Sequence, residues 1–174
     1  TVHHILVDGG TSPTAPVVRQ RLDSIAPDDD GRRRLELFVV THVDTDHIGG
    51  VLRLLSGTGA TDLDVGDFWF NERRHLEPAS ALGAIDGEIL GAFLDRLGWP
   101  SNARFQPADR PRADFPVMVA DPPADDRFKA PPSFSLAGGM TVTLLSPGPA
   151  QIVALREAWA RELTKKHLDP AEPD

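Results

Sequence analysis

The run at residues 41–50, Thr-His-Val-Asp-Thr-Asp-His-Ile-Gly-Gly, constrains this chain more than any other stretch of it. Four potential metal ligands, His42, Asp44, Asp46 and His47, fall within six positions. The segment before them is apolar except for Glu36, and the segment after them carries Ile48, Val51, Leu52 and Leu55 at helical spacing. The ligands therefore stand where a strand gives way to a helix. In extended backbone alternate residues share a side, so His42 and Asp44 can face one ion. Asp46 and His47 fall at the turn into the helix, where they can face a second. Imidazole nitrogen combined with carboxylate oxygen suits zinc, manganese or iron. Gly49 and Gly50 remove side chains where backbone passes close to such a centre.

The composition narrows what a site of this kind could serve. The 174 residues are 40% hydrophobic and 25% charged, enough for one ordinary domain with a core. There is no cysteine, so any metal is held by nitrogen and oxygen and no disulfide contributes. A formal net charge of −8 argues against coating nucleic acid through general electrostatics. It leaves a nuclease open, because bound divalent ions offset carboxylates locally. No apolar run is long enough to cross a membrane and no signal peptide is visible, which points to a cytoplasmic protein with no membrane partner.

Along the chain, residues 5–7 read as a strand ending at Gly9-Gly10, and residues 16–25 as a helix. Residues 35–41 read as one strand covered on both faces, 48–56 as a helix, and 64–71 as a short strand. Residues 78–97 form a helical pattern closed by Gly98 and Pro100. A proline-rich connection at 100–135 holds one further strand at 115–120. Residues 134–136 and 141–145 flank Gly138-Gly139 as a β-hairpin, and 151–167 carry Ile152, Leu155, Trp159 and Leu163 on one helical face. Of the basic clusters, Arg32 to Arg34 read as a solvated face, and Arg73 and Arg74 as better placed for phosphate. His3 and His4 read as edge or packing residues. His75, a short distance downstream of the run, reads as a late ligand or a substrate contact, and His167 suits a helix C-terminus.

The 41–50 run resembles the His-x-His-x-Asp-His signature of the metallo-β-lactamase superfamily, with Asp44 standing where most members carry the second histidine. The His-x-Asp-x-Asp-His-Ile-Gly-Gly form looks most like the branch related to the hydrolase domain of competence DNA-uptake proteins, which includes hydrolases from bacterial defence gene clusters. Residues 5–10 (ILVDGG) look like the strand and turn that precede the signature, and residues 140–147 (MTVTLLSP) like the mid-domain strand.

The resemblance implies an α/β chain of the metallo-β-lactamase fold, an αββα sandwich. Residues 1–174 would supply the N-terminal and middle part of one domain. The remaining part would come from a second chain or a longer polypeptide, with a processing protease as a possible further partner. It implies two divalent ions, zinc or manganese, His42 and Asp44 serving the first and Asp46 and His47 the second. Asp46 would also orient the attacking water. The activity implied is hydrolysis of a phosphodiester in DNA or RNA. A small ester, amide or lactone is the alternative, and a degenerate interaction module is a further one.

Overall fold

The computed structural model describes residues 2–57, 60–72, 75, 85–106, 115–120 and 130–165. Three short strands, β1 (Ile5–Val7), β3 (Leu37–Val39) and β5 (Phe68–Trp69), form a parallel sheet in the order β1-β3-β5. Parallel pairing needs crossovers. The first is made by α1 (Ala15–Asp23), entered through a single helical turn at Ser12–Thr14. The second is made by α2 (Thr45–Leu55). A separate parallel pair joins β2 (Arg33–Leu35) to β4 (Leu63–Val65). The alternation of strand and helix is the α/β class that the sequence implied.

The sheet has two differently covered faces. On one side α1, α2 and α3 (Ile85–Leu97) enclose a core built on Phe38, Ile48, Val51, Leu55, Phe68 and Leu90. On the other, Leu37 and Trp69 meet Leu136 and Val117, with Phe105 and Phe134 packed around them. Trp69 takes edge-on contacts from both phenyl rings, at centroid distances of 5.0 and 5.3 Å. The antiparallel hairpin of β6 (Ser133–Ser135) and β7 (Thr141–Thr143) supplies that second cover. The last helix, α4 (Pro149–Lys165), inserts Ile152 and Trp159 into the first core. Among the described residues no helix is long and apolar enough to cross a membrane.

Several local expectations are revised by tertiary pairing. The single strand expected at 35–41 is two strands in different sheets, broken at Glu36. There the chain steps sideways: the Glu36 N–H donates to His4 O, while its carboxylate accepts from His3 and Arg34. The strand expected at 64–71 likewise splits at Gly66-Asp67 into β4 and β5. Asp67 is buried beside Trp69 and accepts from the Trp69 indole and the N–H groups of Ala103 and Arg104. Burial nonetheless pushes its carboxyl pKa up. Residues 115–120 are irregular rather than a strand. The helix expected from residue 78 is described from Ile85, and residues 76–84 lie outside the described residues.

The β2–β4 register sets Arg34 opposite Asp64 and Arg33 opposite Leu63, next to Asp62. Arg33 and Arg19 both bond the Asp62 carboxylate, at 2.5 and 2.7 Å, and Arg34 bonds Asp64 at 2.7 Å. The Arg19 hydrogen bond holds the Asp62 carboxyl below its ordinary value despite partial burial. A depressed carboxylate contributes stability above its unfolded pKa, about 3.9, and loses it as pH falls through the lower folded value. Asp62→Asn is therefore expected to cost about 1–2 kcal/mol at pH 7. The difference from wild type should close below pH 4, as read from urea unfolding at several pH values.

Candidate metal centre

The 41–50 run lies at the C-terminal end of β3, where ligands of parallel sheets commonly bind. Helix α2 begins at Thr45, three residues earlier than the apolar periodicity suggested, so Asp46 and His47 occupy its first turn. Asp44 is the extended N-cap residue, yet its carboxylate makes no capping bond. Its Oδ2 instead lies 3.5 Å from His42 Nδ1. Asp44 and Asp46 are both largely exposed, with side chains 73% and 70% accessible, so neither is spent on the fold.

The two imidazoles come together. The rings of His42 and His47 stand 3.7 Å apart between centroids, and His47 Nε2 lies 3.7 Å from Asp46 Oδ2. His47 Nδ1 faces the other way, 2.8 Å from Asp8 Oδ2 and 3.1 Å from the Thr41 hydroxyl. Asp8 was not singled out from the sequence. It follows β1, holds a left-handed backbone (φ 57°), and also accepts from the Thr41 N–H and hydroxyl, each at 2.8 Å. Burial opposes its ionisation, but these bonds and that of His47 outweigh it and hold the carboxyl below its usual range. The reciprocal effect is that Asp8 raises the pKa of His47. The only signal in the sequence was an aspartate directly after an apolar strand, before Gly9-Gly10.

Two glycine pairs bring these elements together. The Gly9 N–H donates to His47 O at 2.9 Å, and the Gly50 N–H donates to Gly10 O at 2.7 Å. The turn after β1 thus lies flat on the first turn of α2. A methyl on Gly50 would collide with the Gly9 carbonyl, and one on Gly9 would come within 2.5 Å of the Val51 nitrogen. Absence of side chains at both places is what lets Asp8 reach His47.

Two other histidines are engaged within the fold. His75 is buried, where its Nδ1 faces the Glu72 N–H and the Asn102 amide. Asn102, fully buried with φ 50°, also bonds the N–H and carbonyl of Phe70. His3 pairs with Glu36 and packs beneath Gly138. Arg73, Arg74 and His167 lie outside the described residues.

The donor set suits a divalent ion in type and in support. A ligating histidine characteristically donates its second ring N–H to a carboxylate, which fixes its tautomer and orientation, and Asp8 stands in that relation to His47. His42 with Asp44 and Asp46 with His47 form two nitrogen–oxygen pairs. Among the described residues no three histidine, aspartate or glutamate side chains close into a metal-holding group, so these pairs do not complete a coordination shell by themselves.

Residues 3–63 match the family model described as the metallo-beta-lactamase superfamily. The match covers roughly the first third of the chain, from the residues before β1 to β4, and includes Asp8 and the whole 41–50 run. It points to metal-dependent hydrolase chemistry. No curated protein and no solved structure matches the chain.

Asp8→Asn tests the buttress, since asparagine tolerates the same left-handed backbone while removing the charge. Loss of an outer partner of this kind is expected to lower metal affinity or turnover by about 10–100-fold. Isothermal titration with manganese and zinc, alongside a melting curve close to wild type, checks it.

Proposed function

We propose that this chain carries the water-activating part of a metal-dependent hydrolase. His42 and Asp44 would hold one divalent ion, and Asp46 and His47 a second. The observation that carries this reading is the 2.8 Å contact from His47 Nδ1 to Asp8, which leaves Nε2 on the side of Asp46 and His42. A divalent ion at such a site supplies Lewis acidity and makes water a usable nucleophile at neutral pH. Asp46, exposed beside His47, would accept a proton and orient the attacking water. Asp8 and Thr41 hold the His47 ring. Asp44 in place of a nitrogen donor makes the first position harder and shifts preference from zinc towards manganese. The ligands that complete each shell would come from a further segment of the domain, on a second chain or a longer polypeptide.

The substrate reading is a phosphodiester in DNA or RNA, supported by the His-x-Asp-x-Asp-His-Ile-Gly-Gly run, and a place in bacterial defence belongs to that reading. The alternative substrate is a small ester, amide or lactone; among the described residues Arg33 and Arg34 are paired with Asp62 and Asp64. The deciding experiment is a substrate panel of DNA, RNA and model esters on the full-length protein with manganese and with zinc, accompanied by metal analysis. Metal-dependent cleavage of any of them supports the hydrolase and identifies the bond. A folded protein that binds neither metal and cleaves none of them is a degenerate interaction module, and the proposal fails.

A further inference from the structure

Three aspartates in this chain are followed directly by glycine: Asp8-Gly9, Asp30-Gly31 and Asp86-Gly87. Such pairs are prone to rearrange through a cyclic imide, because glycine has no Cβ to keep the aspartate carboxyl away from the next backbone nitrogen. Ring closure needs that nitrogen accessible and the backbone around it free to rotate. The fold therefore decides which of the three pairs react.

Two of the pairs are held. Gly9 is buried and its N–H donates to His47 O at 2.9 Å, while the Asp8 carboxylate accepts from the Thr41 N–H and hydroxyl. Gly87 is buried in the first turn of α3, where a Cβ would lie 2.8 Å from the Trp159 ring. Helical backbone there fixes the dihedrals that ring closure would have to change. Asp30-Gly31 differs on each count. The turn at residues 28–32 is exposed throughout, and nothing lies within 4 Å of where a Gly31 Cβ would stand. The Gly31 N–H donates to Asp28 O at 3.0 Å, and Asp28 Oδ1 accepts from the N–H groups of Asp30 and Arg32. These bonds close an exposed turn on itself, so water replaces them at small cost.

We propose that Asp30-Gly31 is a site of spontaneous isoaspartate formation, and that the fold shields the other two pairs, Asp8 of the candidate metal centre included. The Gly31 nitrogen attacks Cγ of the neutral Asp30 carboxyl. The N–Cγ bond forms, the Cγ–OH bond breaks, and the hydroxyl leaves as water with the proton from the nitrogen. Water then opens the resulting succinimide. Attack at Cγ restores aspartate. Attack at the main-chain carbonyl carbon breaks its bond to the Gly31 nitrogen, so that the chain runs through Cβ and Cγ and the α-carboxylate becomes the side group. Mass is unchanged, and one carbon is added to the backbone of the turn that leads into β2.

The test incubates the full chain at neutral pH and body temperature for several weeks. Trypsin, cutting after Arg19, Arg21, Arg32, Arg74 and Arg96, places the three pairs in separate peptides. Isoaspartate is read as a peptide of unchanged mass and altered elution, and as methylation by an isoaspartyl carboxyl methyltransferase with a labelled methyl donor. Expected is a steady gain in the Asp30 peptide, about tenfold or more faster than in the peptides holding Asp8 and Asp86. A parallel sample in urea keeps the sequence and removes the fold, and there all three pairs should convert at similar rates. Asp30→Glu, at an exposed position, should abolish the signal, because closure would then need a six-membered ring. An Asp30 peptide that stays unchanged in the folded chain, or Asp8 or Asp86 converting as fast as Asp30 there, overturns the proposal.

Discussion

Alanine at Asp46 or at His47 is expected to remove metal-dependent hydrolysis while the melting temperature stays within a few degrees of wild type. The Asp46 side chain is 70% accessible and its only ion pair among the described residues is with His47, so its removal takes nothing from the core. His47 is about one-third accessible, and its contacts are with Asp8, Thr41, His42 and Asp46 rather than with the apolar cluster. Loss of an outer partner alone costs about 10–100-fold, and loss of a donor should exceed that, on the order of 10³-fold or more. Turnover and bound metal, measured on the same samples, separate the two substitutions. His47→Ala should lose both, and Asp46→Ala should lose turnover by the larger factor, because it removes the proton acceptor as well as a donor. Wild-type turnover in Asp46→Ala would sink the two-ion mechanism.

Gly50→Ala should produce the opposite pattern, a large loss of stability from the smallest possible change. The added methyl meets the carbonyl of Gly9, and that contact is between two backbone segments already joined by the Gly50 N–H bond to Gly10 O. No side-chain rotation can relieve it. Either the turn after β1 lifts away from α2, or the first turn of α2 unwinds. Overpacking against backbone places the cost at about 3 kcal/mol or more, a fall of roughly 10 °C in melting temperature for a chain of this size. Gly49→Ala is the control, because its methyl would lie 3.1 Å from the Ser12 nitrogen and 3.2 Å from the movable Ser12 hydroxyl. Thermal melts of the two variants should therefore differ clearly. Activity should fall in Gly50→Ala even where the protein remains folded, since lifting the turn withdraws Asp8 from His47. Equal melting temperatures for wild type and Gly50→Ala would show that the turn does not bear on α2 as described.

What the sequence determined by itself is local chemistry. The donor types at 42, 44, 46 and 47, the apolar run ahead of them and the 3.6-residue period after them are properties of a few neighbouring residues, and each forecasts a strand end, a helix start and a metal-compatible cluster. The β1 strand, the first helix and the β6–β7 hairpin were legible for the same reason. What only the tertiary structure decided are pairings across long separations. Residues 35–41 look like one apolar strand, yet Leu35 belongs beside Val65 and Leu37 beside Ile5, a division that no periodicity reveals because both partners are apolar. Asp8 meets His47 across 39 positions because parallel pairing of β1 with β3 brings both strand ends to one side and two glycine pairs close the gap. A cleft beside His42 depends on α4 returning from more than a hundred residues away to set Trp159 against Gly87. Chain propensities act over a few residues, whereas these contacts are chosen by which apolar faces can be buried together, and that is settled only when the whole core forms.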